Sequence, residues 1–263
     1  MNTLTRALAD GLTMFGRHLT QLRRRPGELV AALLFPVLMI VMFGYVFGSA
    51  IRVPGGGNYR EYLMPGLFGM VIFTAVMANA LATATDAGRG VMDRLRSLPV
   101  TRWAMPFGQS AADLLTGIPG LAALAVCGLV VGWRPHEGAA PALAAFALMI
   151  LMRMALGWLG IWLGLVMKDE KTVDAFAPIF LPVTMLSNAF VPTEGMPAWL
   201  RVLCEWNPVS SLVAALRELF GNPAAPATAL PLQHPVAATV LWSLALIAVF
   251  MPLAVHAYTH RNR

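Results

Sequence analysis

Of the 263 residues, 58% are hydrophobic and 12% are charged, and the mean hydropathy is +0.67. A soluble domain usually carries about 25% charged residues, so this composition excludes an ordinary soluble fold and predicts an all-α integral membrane protein. The net charge is +6, but the basic residues are spread over short segments between apolar runs, as membrane topology requires. The charge therefore gives no reason to expect a nucleic-acid partner.

Residues 1–26 predict an amphipathic helix that lies in the membrane interface. Apolar side chains recur every three or four positions and share one helical face; they are Leu4, Leu8, Leu12, Phe15, Leu19 and Leu22. Arginines surround this face, as in helices that lie on membranes, and Pro26 breaks or redirects the helix. A soluble docking helix is the alternative interpretation.

Six apolar segments follow, each long enough to cross a hydrocarbon core of about 30 Å. Their predicted bounds are Leu29–Ala50, Leu63–Thr85, Met105–Gly132, Pro141–Met167, Thr172–Phe190 and Val236–Ala257. Thirteen Arg and Lys residues fall on the side that carries both termini, against five on the other side. The positive-inside rule therefore predicts a multi-pass protein of the cytoplasmic membrane with both termini in the cytoplasm.

Residues 86–102 form a charge-rich segment between two long apolar runs, with four Arg and two Asp. Val91, Leu95 and Leu98 are three and four residues apart, which predicts a short helix with one apolar face. Pro99 ends that helix, because the residue before a proline avoids helical angles. We interpret the segment as a cytoplasmic loop that contacts the protein driving this chain.

Residues 191–220 stay apolar, but never over a full membrane crossing. Pro197–Glu205 and Pro208–Phe220 each predict a short helix with a proline in its first turn. Segments of this length are typical of re-entrant or interfacial structure. We therefore expect two short re-entrant outer helices before the last span.

Charge within the predicted spans is concentrated in Arg153, near the middle of the fourth, and Asp113, near the start of the third. Intramembrane charges suggest function by default, and two hypotheses stay open: Arg153 pairs with Asp113 or snorkels and so fixes helix packing, or it contacts substrate. An arginine does not release its proton, so it is a poor proton relay. The sequence has no P-loop and no metalloprotease or serine-hydrolase motif, so we expect no enzyme chemistry, metal or cofactor on this chain.

Two sets of residues carry a resemblance to a known family. The first is Gly90-x-x-Asp93-Arg94-Leu95-Arg96-Ser97-Leu98-Pro99-Val100-x-Arg102, with Asp113 downstream. The second is Ser187-Asn188-Ala189-Phe190-Val191-Pro192, then Met196-Pro197-x-Trp199-Leu200, Asn207-Pro208 and Arg217. With these segments the chain resembles the permease subunits of ABC-2 type exporters, most closely the daunorubicin-resistance (DrrB-like) branch, over nearly its whole length.

The resemblance implies one transmembrane domain over residues 1–263, with a coupling helix in Asp86–Arg102 that docks on an ATPase. It implies two separate ABC ATPase subunits, which bind ATP and magnesium, and a second permease chain, identical or homologous. The implied coupling residues are Asp93, Arg94, Leu95, Arg96, Ser97, Leu98, Pro99, Val100 and Arg102. Arg94, Arg96 and Arg102 would make the charged contacts; the alternative is that these arginines only set topology or bind anionic lipid.

For substrate, apolar and methionine-rich faces of three spans are the candidate pathway lining: Phe35, Met39, Phe43, Phe73, Met77, Met185 and Phe190. Such adaptable linings suit drugs or lipids better than sugars, although the same side chains could simply face lipid or pack in the core. A polysaccharide or cell-wall-precursor exporter and a non-transporting membrane scaffold are the alternatives. A secondary transporter is disfavoured, because the chain lacks a titratable relay and an inverted repeat.

Overall fold

The computed structural model describes residues 34, 37–46, 58–88, 104–167, 169–190, 193–224 and 229–260, and every regular element in that part of the chain is helical. The helices are α1 (Val37–Val46, π-helical over Met42–Val46), α2 (Tyr59–Gly88), α3 (Ala104–Val131), α4 (Ala139–Met167), α5 (Glu170–Met185), α6 (Ala198–Glu205), α7 (Pro208–Phe220), α8 (Leu230–Gln233) and α9 (Pro235–His260). The all-α prediction is confirmed for these residues.

Four of the described helices, α2, α3, α4 and α9, are long and apolar enough to cross a membrane. They correspond to the second, third, fourth and sixth predicted spans. The described part of the first predicted span is α1, and the fifth is represented by α5. Residues 1–26 and 89–103 lie outside the described residues, so the interfacial helix and the coupling helix stay predictions.

Helix α4 lies at the centre of the bundle and packs most extensively against α2 and α9. Its contact with α2 is close because two glycines, Gly160 and Gly164, face the α2 backbone. A Cβ atom added to Gly160 would lie 2.3 Å from the carbonyl oxygen of Val76, and one added to Gly164 would lie 2.3 Å from that of Ala80. Small residues four apart allow membrane helices to approach in this way.

One end of the bundle, here called the Trp133 end, is closed by the α3–α4 loop. The indole N–H of Trp133 donates to Asn222 Oδ1 at 2.8 Å, and its ring meets the edge of Phe220 at 4.9 Å between centroids. Gly132 and Gly138 turn the chain with φ of 106° and 89°, values that favour glycine. Through these contacts, the loop that connects α3 to α4 also packs against the C-terminal end of α7.

The fifth predicted span, Thr172–Phe190, is helical only as far as Met185, where α5 ends. Pro178 and Pro182 weaken its second half by removing backbone donors, and Ser187 and Asn188 follow with side chains that compete for backbone hydrogen bonds. The chain then continues as an irregular turn, residues 186–190.

Even so, the segment 169–190 extends along the whole of α2. Near one end, the Thr85 hydroxyl donates to Glu170 Oε1 at 2.6 Å; at the other, the Tyr59 hydroxyl donates to the carbonyl oxygen of Phe190 at 2.9 Å. Thr85 and Tyr59 are about 39 Å apart along an ideal helix, which exceeds the thickness of a hydrocarbon core. The turn thus completes a path that α5 alone is too short to make.

The bounds of the two short helices before the last span are confirmed. α6 begins at Ala198 with Pro197 as its N-cap, and α7 begins at Pro208. The Asn207 side chain accepts a hydrogen bond from the Val209 backbone N–H at 2.9 Å and so caps α7. Gly221 ends the helix in the left-handed conformation, with φ of 65°.

Candidate functional site

Arg217, on α7, is almost completely buried, with 2% relative exposure. Its Nη2 donates to the backbone carbonyl oxygens of Tyr62, Asn188 and Ala189 at 3.1, 3.0 and 3.1 Å. The guanidinium also lies over the Tyr62 ring, 3.7 Å from the centroid, where a cation is attracted by the face of the ring. Within the described part of the chain, Arg217 is therefore held by carbonyl oxygens and an aromatic face instead of a carboxylate.

Four further side chains hold the same irregular turn, residues 186–190. The hydroxyls of Tyr59 and Tyr62 donate to the carbonyl oxygens of Phe190 and Asn188 at 2.9 and 3.3 Å. Asn207 Nδ2 donates to the Leu186 carbonyl oxygen at 2.9 Å, and Ser210 Oγ accepts from the Asn188 backbone N–H at 3.1 Å. We call Tyr59, Tyr62, Asn207, Ser210 and Arg217 the polar clasp.

The polar clasp explains how non-helical backbone lies inside a helical core. Buried backbone groups without partners are costly, and in a membrane such backbone is tolerated only where protein surrounds it and supplies partners. Here the carbonyl groups of Leu186, Asn188, Ala189 and Phe190 all accept side-chain hydrogen bonds. The clasp thus replaces the intrahelical bonds that α5 loses when it ends at Met185.

Helix α2 approaches the turn closely because residue 66 is glycine. A Cβ atom there would lie 2.2 Å from the Ala189 carbonyl oxygen. Arg217 is part of the family resemblance in the sequence, whereas Gly66, Tyr59 and Tyr62 were not predicted as site residues. The sequence did contain one indication of the role of Arg217: it lies on the apolar face of a short amphipathic helix, where a solvent-exposed charge is not expected.

The two predicted intramembrane charges form an ion pair. Arg153 Nη2 lies 2.7 Å from Asp113 Oδ1, and each residue has 8% relative exposure. Gly117, one turn after Asp113, provides the space: a Cβ there would lie 2.0 Å from Arg153 Nε. The hypothesis that Arg153 pairs with Asp113 is therefore confirmed, and α3 and α4 are joined by a buried salt bridge.

This ion pair is incompletely hydrogen-bonded. Asp113 Oδ2 and Arg153 Nε are buried, and neither has a protein hydrogen-bond partner in the described part of the chain. Gly157 lies against both Asp113 Oδ2 and the side-chain nitrogen of Asn79, each within 4 Å of an added Cβ. Three helices thus bring polar groups to one point of an otherwise apolar core.

The candidate pathway residues divide into two groups. Phe43 and Phe190 are in contact, with ring centroids 5.3 Å apart, and belong with Met39 and Phe73 to the main apolar cluster. Met77 packs in a second cluster, around Ala80 and Val173. Phe35 and the side chain of Met185 lie outside what the structure describes, and the pathway role of the whole set stays a prediction.

The predicted coupling residues, from Asp93 to Val100 and Arg102, lie outside the described residues. The helix ends that flank them, the end of α2 and the start of α3, lie opposite the Trp133 end, and we call this the Asp169 end. Asp169 caps α5 there: its Oδ1 accepts from the Thr172 backbone N–H at 2.7 Å, and its Oδ2 accepts from the Thr172 hydroxyl at 2.9 Å. These hydrogen bonds lower the pKa of the Asp169 carboxyl below its usual value.

Span-length apolar helices around a buried salt bridge, with an irregular segment held by side chains, define a polytopic helical membrane protein. A family model described as ABC-2 type transporter matches residues 11–220. The chain therefore belongs to the ABC-2 type transporter family, as its sequence resemblance predicted.

Relatives match the chain over most of its length. It is 28% identical over 257 residues to the daunorubicin resistance ABC transporter permease protein DrrB1 of Streptomyces coeruleorubidus, covering 97% of this chain and 88% of that one. It is 22% identical over 261 residues to the probable doxorubicin resistance ABC transporter permease protein DrrC of Mycobacterium tuberculosis, covering 96% and 91%. It is 25% identical over 212 residues to the putative transport permease ycf38 of Porphyra purpurea, covering 78% and 72%. The chain is thus an ABC transporter permease subunit.

Proposed function

We propose that this chain is the transmembrane subunit of an ATP-driven exporter that moves hydrophobic or amphiphilic compounds, drugs or lipids, out across the cytoplasmic membrane. The observation that carries the proposal is the similarity over 97% of the chain to a permease named for daunorubicin resistance.

The proposal includes six membrane crossings with both termini in the cytoplasm. The four span-length helices supply four crossings. Segment 169–190 supplies another, since its contacts with α2 extend from Thr85 to Tyr59. The first crossing includes α1. The positive-inside rule then places the Asp169 end in the cytoplasm and the Trp133 end outside, so α6 and α7 are outer re-entrant helices.

The energy comes from elsewhere in the complex. The chain has no phosphate-binding P-loop, so two ABC ATPase subunits, carrying ATP and magnesium, bind on the cytoplasmic side. They dock on Asp86–Arg102, with the segment Asp93–Val100 as the coupling helix and Arg94, Arg96 and Arg102 as its charged contacts. A second permease chain, identical or homologous, completes a two-fold arrangement.

The docking proposal is tested by co-expressing the chain with its candidate ATPase partner and measuring co-purification and ATP hydrolysis. The variant Arg94→Ala/Arg96→Ala is expected to lose either assembly or most of the substrate-stimulated hydrolysis. The matched control, Arg60→Ala/Arg201→Ala, removes two charges from the opposite end of the bundle and is expected to behave like wild type.

Three results would count against parts of the proposal. If Arg94→Ala/Arg96→Ala assembles and hydrolyses ATP normally, the arginines only set topology. Equal loss in both double variants would mean that net charge matters and the position of the charges does not. If no ATPase co-purifies with the wild-type chain, the exporter proposal fails and the scaffold alternative is favoured.

The substrate class is tested in inside-out vesicles containing the assembled complex. ATP-dependent accumulation of daunorubicin, followed by its fluorescence, or of a fluorescent phospholipid is expected. If neither probe accumulates and a lipid-linked oligosaccharide stimulates ATP hydrolysis, the chain is a polysaccharide or cell-wall-precursor permease instead.

A further inference from the structure

An apolar groove opens at the surface of the Trp133 end, away from the main core. It lies between the residue that follows α6, Trp206, the short helix α8 and the first turns of α9, and its volume is about 480 Å³. On α9, Ala237, Ala238, Leu241 and Trp242 share one face and line it. None of the residues of the polar clasp or of the Asp113–Arg153 pair contributes to this groove.

The chemistry of the lining selects an apolar ligand. It consists of aliphatic and aromatic side chains except for His234, so most of the contact that it offers to a ligand is apolar. Small binding sites in proteins normally include several placed polar groups that fix a ligand's orientation. A groove without them suits a flexible alkyl chain, which needs contact area and no orientation.

The groove continues into the outward surface of a span-length helix. Leu241 and Leu230 in its wall are 67% and 65% exposed, and further along α9 Leu244 and Val249 are 52% and 50% exposed. On a helix of this length and hydropathy, an uninterrupted apolar outer surface faces hydrocarbon. The two indoles, Trp206 and Trp242, are of the residue type that collects where hydrocarbon meets the headgroups.

The size of the groove fits one chain-like ligand. Its volume of about 480 Å³ lies in the range of pockets that hold a single small ligand, roughly 300–1,000 Å³, and one extended alkyl chain fits along it. A helix from a second permease chain, about 10–12 Å across with its side chains, is much wider than an alkyl chain and would lie over the groove.

We propose that this groove is a binding site for one acyl chain of a membrane phospholipid, held between Trp206, α8 and the alanine-rich face of α9. The alanines keep the floor low, and the indoles form its polar-facing border. The site does not depend on what the complex transports, so it holds or fails independently of the exporter proposal.

The test uses the full-length chain in nanodiscs that contain a phospholipid with a photoactivatable diazirine at the end of one acyl chain. After irradiation, labelled peptides are identified by mass spectrometry. In wild type, label is expected to concentrate on peptides containing Trp206 and residues 230–245. Ala238→Phe fills the floor and is expected to reduce that label at least fivefold.

The matched control is Ala144→Phe. Ala144 is exposed and lies in the first two turns of α4, which also begins at the Trp133 end, but it does not line the groove. Its label pattern is expected to match wild type. A second measurement avoids a bulky substitution. When the phospholipids carry brominated acyl chains, quenching of tryptophan fluorescence is expected to be smaller for Trp206→Phe than for wild type.

Three outcomes would overturn the proposal. Label spread evenly along α9, or unchanged by Ala238→Phe, would show ordinary contact with bulk lipid. An unlabelled groove, together with cross-linking between two chains through Trp206→Cys, would show that a second permease chain covers it. Quenching that is equal in wild type and Trp206→Phe would show that no acyl chain reaches the indole.

Discussion

The buried Asp113–Arg153 pair allows a double-mutant cycle that separates packing from substrate contact. Arg153→Met and Asp113→Leu each remove one charge and keep most of the side-chain volume. The double variant removes both charges and replaces the 2.7 Å contact with apolar packing. If the pair holds α3 to α4, each single change should destabilise the protein, and the double variant should recover much of the loss.

The magnitude follows from what each single variant leaves behind. Breaking a buried ion pair costs about 3–5 kcal/mol, while replacing both partners by apolar groups is often neutral. Asp113→Leu leaves the Arg153 guanidinium buried without a carboxylate, and Arg153→Met leaves the Asp113 carboxylate buried without its cation. Oδ2 of Asp113 and Nε of Arg153 make no hydrogen bond within the described residues, and the Asn79 amide beside Oδ2 is a neutral group that cannot replace the lost opposite charge.

The assay is thermal or denaturant unfolding of the purified chain in detergent, with transport measured in parallel. For a chain of this size about 1 kcal/mol corresponds to 2–4 °C in Tm, so the single variants should lose about 6–20 °C. Single variants within about 1 kcal/mol of wild type, with effects that simply add in the double variant, would refute the packing role. Near-native stability with lost transport would instead support substrate contact.

Three further predictions follow from described contacts. Gly160→Ala should lower Tm, because its Cβ would lie 2.3 Å from the α2 backbone. The control Gly120→Ala, at a position with open space around it, should leave Tm unchanged or raise it slightly, and equal effects of the two changes would contradict the close crossing of α2 and α4. Arg217→Lys should destabilise by about 2–4 kcal/mol, because one ammonium cannot reproduce the hydrogen bonds that Nη2 makes to three carbonyl oxygens and Nε makes to that of Tyr62 at 3.3 Å. Wild-type stability of this variant in unfolding assays would show that the shape of the guanidinium is unimportant. Because hydrogen bonds to Thr172 lower the pKa of Asp169, its cap should be complete above about pH 4 and be lost as the pH falls through the lowered folded-state value. The protection factor of the Thr172 amide, which is the exchange rate corrected for its intrinsic pH dependence, should then fall in wild type and be low at every pH in Asp169→Ala; a protection factor that does not change with pH in wild type would contradict this.

Hydrophobic length and proline position were enough to predict most helices. The bounds of Pro197–Glu205 and Pro208–Phe220 agree with α6 and α7 to within one residue, because each is opened by a proline that fixes its first turn. Hydropathy failed at Phe190, where apolar residues continue after the helix has ended. Hydropathy does not register the side-chain hydrogen bonds that hold this non-helical turn, because they come from residues distant in the chain.

The candidate site was predictable in part where charged residues lie in apolar spans. Arg153 and Asp113 are costly there, so the sequence supported their pairing as one hypothesis, beside snorkelling and substrate contact. Arg217 offered no such partner in the sequence, since its acceptors are backbone carbonyl groups and the face of Tyr62. Every residue has a carbonyl group, so no sequence pattern marks which ones an arginine will find.

The polar clasp also sets an order for biogenesis. Its donors come from Tyr59 and Tyr62 on α2 and from Asn207 and Arg217, which are synthesised after the turn that they hold. When residues 186–190 first leave the ribosome, their carbonyl groups have no protein donors from Asn207 or Arg217, and hydrocarbon would be a poor environment for them. Segment 169–190 therefore reaches its fully hydrogen-bonded position only after residue 217 has left the ribosome, which makes its final placement a late step of membrane insertion.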